Sequence, residues 1–230
     1  MDITFYYINL VHRTDRNRET IEEWGKTYFS SNKLKRVEAI YNKYGNIGCG
    51  YSHILALEIA LQENPASEWV GILEDDVEFR NPETVLKNVE EALEYFKPMD
   101  IDVLLLAQGK EEWSKYEHLP NCEYMRIKGT YTKTAYIIKT RYIPTLIANY
   151  KEALVLLEKE PKNHNYHTDM YWQKLHNVDK WYGFKLGLAH QRFGYSDCAK
   201  EIRLTIMDGK EVDVEIYREK WMELLKVYNA

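Results

Sequence analysis

Apolar runs of β character alternate along this 230-residue chain with segments of helical period. That alternation restricts the chain to an α/β domain, a mostly parallel central sheet flanked by helices. Ile3 to Leu10, Val37 to Ile40, Trp69 to Leu73, Ile101 to Ala107, Glu123 to Lys128, Thr134 to Lys139 and Phe184 to Ala189 read as strands. Between them, helical patterns run from Thr14 to about Phe29, from the turn GNIGCGYSH to Gln62, and from about Tyr142 to Glu158. The clearest helix signal follows Asn81, an N-cap. Pro82 suits the first helical position, Val85, Leu86, Val89, Leu93 and Phe96 form a buried stripe, and Pro98 closes the helix. Thr168 caps a short helix through Leu175, and Tyr217 to Tyr228 reads as a packing helix. The organisation expected is one domain over residues 1–200, with 201–230 as a C-terminal extension of it.

Charge and cysteine usage exclude several classes. With 31 basic and 36 acidic residues the net charge is −5, which argues against a nucleic-acid binder. No apolar run approaches the ~20 residues a membrane span requires. The N-terminal stretch MDITFYYINL reads as a first strand, not a signal peptide, with Met1 as the mature start. Cys49, Cys122 and Cys198 form neither CxxC spacing nor a disulfide framework, and no Asn-x-Ser/Thr sequon is present. A reducing, cytoplasmic setting is the expectation.

The segment GILEDDVEF is the most informative motif, and its residues alone fit either an ion site or an acidic strand-to-loop turn at the solvent edge. Three carboxylates directly after an apolar strand repel one another and are costly to desolvate unless something positive sits among them. A divalent cation is the simplest answer, since Mg²⁺ and Mn²⁺ take oxygen ligands. If extended geometry persists to residue 76, Glu74 and Asp76 share a face and Asp75 points the other way. Ligands in open α/β sheets also bind at the carboxyl ends of strands, where this run lies.

Seven blocks, in order, resemble glycosyltransferase family 25, the lipopolysaccharide-type and collagen-type sugar transferases. FYYINLVHRTDRNRE, GNIGCGYSHILALE, GILEDDVEF, DIDVLLLAQG, GTYTKTAYII, HTDMYW and QRFGYSD span about Phe5 to Asp197. The resemblance implies a GT-A, Rossmann-like fold that binds a nucleotide-diphosphate sugar, such as a UDP-sugar, and Mn²⁺ or Mg²⁺. It implies an inverting transfer of a hexose, galactose or glucose, to a glycan or protein hydroxyl. Short chains of this kind occur in bacteria and in large viruses; for a viral one the setting is the host cytoplasm.

Carried over residue by residue, Glu74, Asp75 and Asp76 form the acidic motif, with Asp76 the first choice for direct metal contact. His190 is the expected further metal ligand, favouring manganese. Asn9, Arg13 and Arg16 match the opening block and are expected at the donor, guanidinium being suited to phosphate. Ser52 and His53 are expected to line the donor site near a helix start. Asn46 stands where the family usually has Glu, and Tyr51 adds a ring beside the Ser-His pair. Asp169 is the expected general base, and Gln191, Ser196 and Asp197 match the closing block.

His164, His167 and His176 read as solvated or structural, and Tyr131, Tyr166, Tyr171 and Trp172 as rings available to stack on sugars. Two competing functions fit the same residues. One is a catalytically silent nucleotide-sugar or carbohydrate-binding module; the other is a nucleotidyltransferase, although no GxGxxG or GxxxxGK loop is present.

Overall fold

In a computed structural model, residues 2–109, 114–120, 123–198 and the backbone of 201–203 are described. The strands are β1 (Thr4–Asn9), β2 (Leu34–Glu38), β3 (Trp69–Glu74), β4 (Val77–Phe79), β5 (Val103–Leu105) and β6 (Lys115–His118). They continue as β7 (Tyr124–Gly129), β8 (Ala135–Lys139), β9 (Trp181–Phe184), β10 (Ala189–Gln191), β11 (Gly194–Ser196) and β12 (Glu201–Arg203). The α-helices are α1 (Thr14–Gly25), α2 (Gly45–Glu63), α3 (Pro82–Phe96), α4 (Ile143–Lys159), α5 (Thr168–Tyr171) and α6 (Gln173–His176).

Eight strands form one sheet in the order β2-β1-β3-β8-β5-β9-β7-β6. The sheet is mostly parallel in direction: β2, β1, β3, β5, β9 and β6 point one way, and β8 and β7 run against them. Alternate side chains of each strand enter opposite cores. Tyr6, Ile8, Ile72 and Ile138 pack with Leu57 of α2 and Leu146, Tyr150 and Leu154 of α4. Phe5, Tyr7, Leu73 and Ile137 pack with Trp24 of α1 and Val85, Val89 and Phe96 of α3. The result is a three-layer α/β/α domain.

The connections fix where a ligand can sit. From β1 the chain crosses through α1 to β2 on one side, then returns through α2 to β3 on the other side of β1. The direction of winding reverses between β1 and β3, which opens a crevice at their carboxyl ends. Because β8 is antiparallel to β3, with Leu73 opposite Ala135, residues 130–134 arrive at that same end.

Local differences from the sequence reading have physical causes. α1 ends at Gly25, not near Phe29, and Thr27 to Phe29 turn back so that Phe29 stacks on Trp24. The backbone does not stay extended through the acidic run: it turns at Asp75 and Asp76 into β4, so the face-sharing expected of Glu74 and Asp76 does not arise. The last core strand is β9, earlier than Phe184 to Ala189; at Gly187 (φ +70°) the chain turns away and β10 pairs with β4. Asn81 precedes α3 as expected but makes no side-chain cap hydrogen bond, and β6 had no sequence signal. The helix expected at Tyr217 to Tyr228 lies outside the described residues.

Candidate active site

A cavity of about 370 Å³ opens at the carboxyl ends of β1 and β3, within the roughly 300–1,000 Å³ usual for small-molecule sites. Its floor is the acidic run. Its walls come from α2, from the 131–133 segment before β8, from α5, and from the 191–198 segment.

Each acid of the run has a different environment. Glu74, at the end of β3, faces α2: its Oε1 lies 3.0 Å from Nε2 of His53 and 3.5 Å from Sγ of Cys49, and its Oε2 accepts from Thr134 Oγ1 at 3.3 Å. Burial alone would raise its pKa, but the His53 hydrogen bond and the charge of Lys133 outweigh it and hold the carboxyl well below its usual range. Asp75 accepts from Asn9 Nδ2 at 2.7 Å and Arg16 Nη1 at 2.8 Å. Asp76 has one oxygen 3.4 Å from Arg16, while its Oδ1 is buried with no hydrogen-bond partner. Burial, with Glu74 and Asp75 nearby, pushes the Asp76 carboxyl up despite the arginine. A buried carboxylate oxygen without a donor is free to ligate a hard cation. The acidic run therefore fits a divalent ion through Asp76.

Above it, Asp169 lines the same cavity from the first turn of α5 and accepts from the backbone N–H of Thr132 at 3.3 Å. Thr132 holds a positive φ of 78°, rare for a β-branched residue. Between Asp169 and Glu74 stands Lys133, 6% exposed and on the cavity wall. Burial opposes its charge, but Cys49, Asp169 and Glu74 raise its pKa, so it remains an ammonium.

The glycines of the α2 motif serve packing. A Cβ on Gly48 would lie 2.6 Å from the Ile40 carbonyl, and one on Gly45 2.4 Å from the Cys198 Cα. Ser52 extends this clamp by donating to Gly48 O at 2.7 Å and accepting from Ile40 N at 2.8 Å. His53, fully buried, orients Glu74 and places Nδ1 3.3 Å from the Tyr136 hydroxyl. Both residues border the cavity, but they sit well inside α2, which begins at Gly45, so its N-terminal N–H groups are not theirs to offer.

Of the thirteen residues carried over from the family resemblance as site candidates, ten line the cavity: Arg16, Ser52, His53, Glu74, Asp75, Asp76, Asp169, Gln191, Ser196 and Asp197. Asn9, Arg13 and His190 are not among the lining residues. Asn9 is a latch, with its amide spent on Asp75, Arg13 O and Arg36. Arg13 binds Asp15 in a fork at 2.9 and 2.8 Å and also pairs with Asp197. β10 runs beside the acidic run, the Arg192 N–H bonding the Asp76 carbonyl, while His190 places Nε2 3.3 Å from Glu78 and does not line the cavity.

Lys133 and Tyr41 were missed by the sequence reading. Tyr41 is 72% exposed at the cavity and makes an edge contact with His12. Of the rings expected to stack on sugar, Tyr131 lines the cavity and Trp172 belongs to the core, its indole N–H donating to Thr130 O. His164 and His167 line the cavity mouth.

Residues 43–172, which include α2, the acidic run and Asp169, match the family described as glycosyltransferase family 25, LPS biosynthesis protein. The chain belongs to glycosyltransferase family 25. A solved glycosyltransferase involved in the glycosylation of the major capsid of PBCV-1 superposes with a TM-score of 0.53 at 12% identity. That match covers 87% of this chain and 97% of the other, and shows a shared fold. UDP-glucose pyrophosphorylase complexed with UDP-glucose superposes with a TM-score of 0.49 at 12% identity, over 86% and 94% of the two chains. No curated protein sequence matches the chain. This family 25 chain is thus a transferase of the GT-A type, and no helix among its described residues is long and apolar enough to cross a membrane.

Proposed function

We propose that the chain is a metal-dependent hexosyltransferase that moves galactose or glucose from a nucleotide-diphosphate sugar, a UDP-sugar, to a hydroxyl of a glycan or protein, with inversion. The observation that carries this reading is a single cavity bounded by an unpartnered buried carboxylate oxygen, Asp76 Oδ1, and a second carboxylate, Asp169.

Asp76 would hold Mn²⁺ or Mg²⁺ through Oδ1, with Glu74 adding negative charge beside it. When bound, the ion supplies Lewis-acid neutralisation of the departing diphosphate. Lys133 and Arg16, cations on the cavity wall, are suited to the anionic donor. Gln191 and Asp197 line the wall that the 191–198 segment contributes. Tyr41 and Tyr131 offer faces for the base or sugar. In the transfer the acceptor oxygen attacks the anomeric carbon, the bond from that carbon to the diphosphate oxygen breaks, and the hydroxyl proton passes to the Asp169 carboxylate.

Incubation with a panel of nucleotide-diphosphate sugars and Mn²⁺, followed by assay of free nucleoside diphosphate, tests the reading. Release from at least one hexose donor is the expected result. Calorimetric binding without release would indicate a silent module, and pyrophosphate release from a nucleoside triphosphate a nucleotidyltransferase; either outcome overturns it.

A further inference from the structure

Beside the hard-ion position at Asp76 lies a group of different chemistry. Sγ of Cys49, a ring nitrogen of His53 and a carboxylate oxygen of Glu74 all lie within 4.8 Å of one another. Nε2 of His53 is 3.0 Å and Sγ of Cys49 3.5 Å from the same glutamate oxygen. Zinc–ligand bonds of about 2.0–2.3 Å in a tetrahedron separate ligand atoms by roughly 3.3–3.8 Å, so these atoms already stand near ligand spacing. Nearby, the thiol of Cys198 donates to Asn46 Oδ1 at 2.8 Å.

We infer that Cys49, His53 and Glu74 form a three-ligand, zinc-class metal site separate from the ion position at Asp76.

Three physical features support it. The first is ligand softness, since thiolate and imidazole select zinc over Mg²⁺ or Mn²⁺. The second is a set of partners already in place behind the ligands. The Tyr136 hydroxyl is 3.3 Å from Nδ1 of His53 and can accept its N–H, freeing Nε2 for metal, and Thr134 Oγ1 donates to the far oxygen of Glu74 at 3.3 Å. The third is charge. One thiolate and one carboxylate carry two negative charges, which a zinc ion balances, and the ion itself deprotonates the thiol on binding.

Cys49 and His53 lie on α2 and Glu74 ends β3, so one ion would tie that helix to the strand that carries the acidic run. The inference does not depend on the proposed transfer reaction, because its readout is spectroscopic.

The test is titration of reduced, chelator-stripped full-length protein with Co²⁺. A thiolate-to-cobalt charge-transfer band in the near ultraviolet, saturating at one ion and bleached by Zn²⁺, is expected. Cys49→Ser loses the band and Asp76→Ala keeps it. Absence of the band from the wild-type protein, or its survival unchanged in Cys49→Ser, overturns the proposal. A second measurement needs no variant: Zn²⁺ should protect Cys49 from alkylation, mapped by peptide mass spectrometry, with chelator restoring labelling. Equal labelling with and without Zn²⁺ would overturn it.

Discussion

Arg16 Nη1 lies 2.8 Å from Oδ1 of Asp75, and the same nitrogen is 3.4 Å from Asp76. The positive charge that an acidic strand end demands is thus supplied in part by the protein, with Arg16 and Lys133 standing on two sides of the run. Both partners of the Arg16–Asp75 pair are about 12% exposed, so the pair is largely desolvated. Removing the arginine alone leaves two carboxylates uncompensated. Arg16→Ala should cost about 3 kcal/mol of folding stability, measured by urea unfolding, the usual effect of breaking a buried pair from one side. A loss below about 1 kcal/mol, the worth of an exposed pair, would mean the carboxylates remain hydrated.

Asp169 sits at the first turn of α5 with one oxygen on the Thr132 N–H. If it takes the acceptor proton, Asp169→Asn should lower kcat by about 10²–10⁴, the usual contribution of a positioned base, while donor affinity from calorimetry changes little. A donor-binding defect with normal turnover would contradict the general-base role.

The glycine motif of α2 makes a different prediction from a phosphate cradle. At Gly48 the neighbour is a backbone carbonyl that cannot rotate away, 2.6 Å from a built Cβ. Gly48→Ala should therefore destabilise the fold by about 1–3 kcal/mol through forced backbone movement. Thermal melting with and without donor separates the two ideas: a variant with wild-type Tm but lost donor binding would favour the cradle.

His176 is fully buried against Trp172 and Trp181, and both ring nitrogens lack partners. Burial lowers its pKa from 6.5 to about 3. Above 6.5 the ring is neutral folded or unfolded and contributes nothing to pH dependence. Below it the unfolded chain takes a proton that the folded chain refuses, so stability falls by roughly 1.4 kcal/mol per pH unit until the folded pKa is reached. His176→Leu should flatten the stability profile between pH 6.5 and 3, as followed by denaturant midpoints. An unchanged slope would show that the ring is hydrated in the folded state.

How far the sequence revealed this arrangement depends on whether the information was local. α3 was legible because Asn81-Pro82 and its apolar stripe lie within one segment, and the acidic run was legible because a β run ends in it. Lys133 was not, since nothing in GTYTKT distinguishes it; its place follows from β8 inserting antiparallel beside β3, a pairing between residues far apart in sequence. The partner of His190 was hidden for a related reason. The apolar pattern reads through Gly187, where the chain turns and hands His190 to β4. Asn9 and Arg13 were recognised as marked residues, but their partners, Asp75 and Asp197, spend their hydrogen-bonding capacity inside the protein.

Asp76 decides the account, because its Oδ1 is buried without a donor. Steady-state release of nucleoside diphosphate should be measured for wild-type and Asp76→Ala proteins at equal folded concentration, with Mn²⁺ and with chelator. The wild-type protein should turn over only with the ion, and the variant, though folded, should not turn over at all. Full manganese-dependent turnover by Asp76→Ala would contradict the assignment.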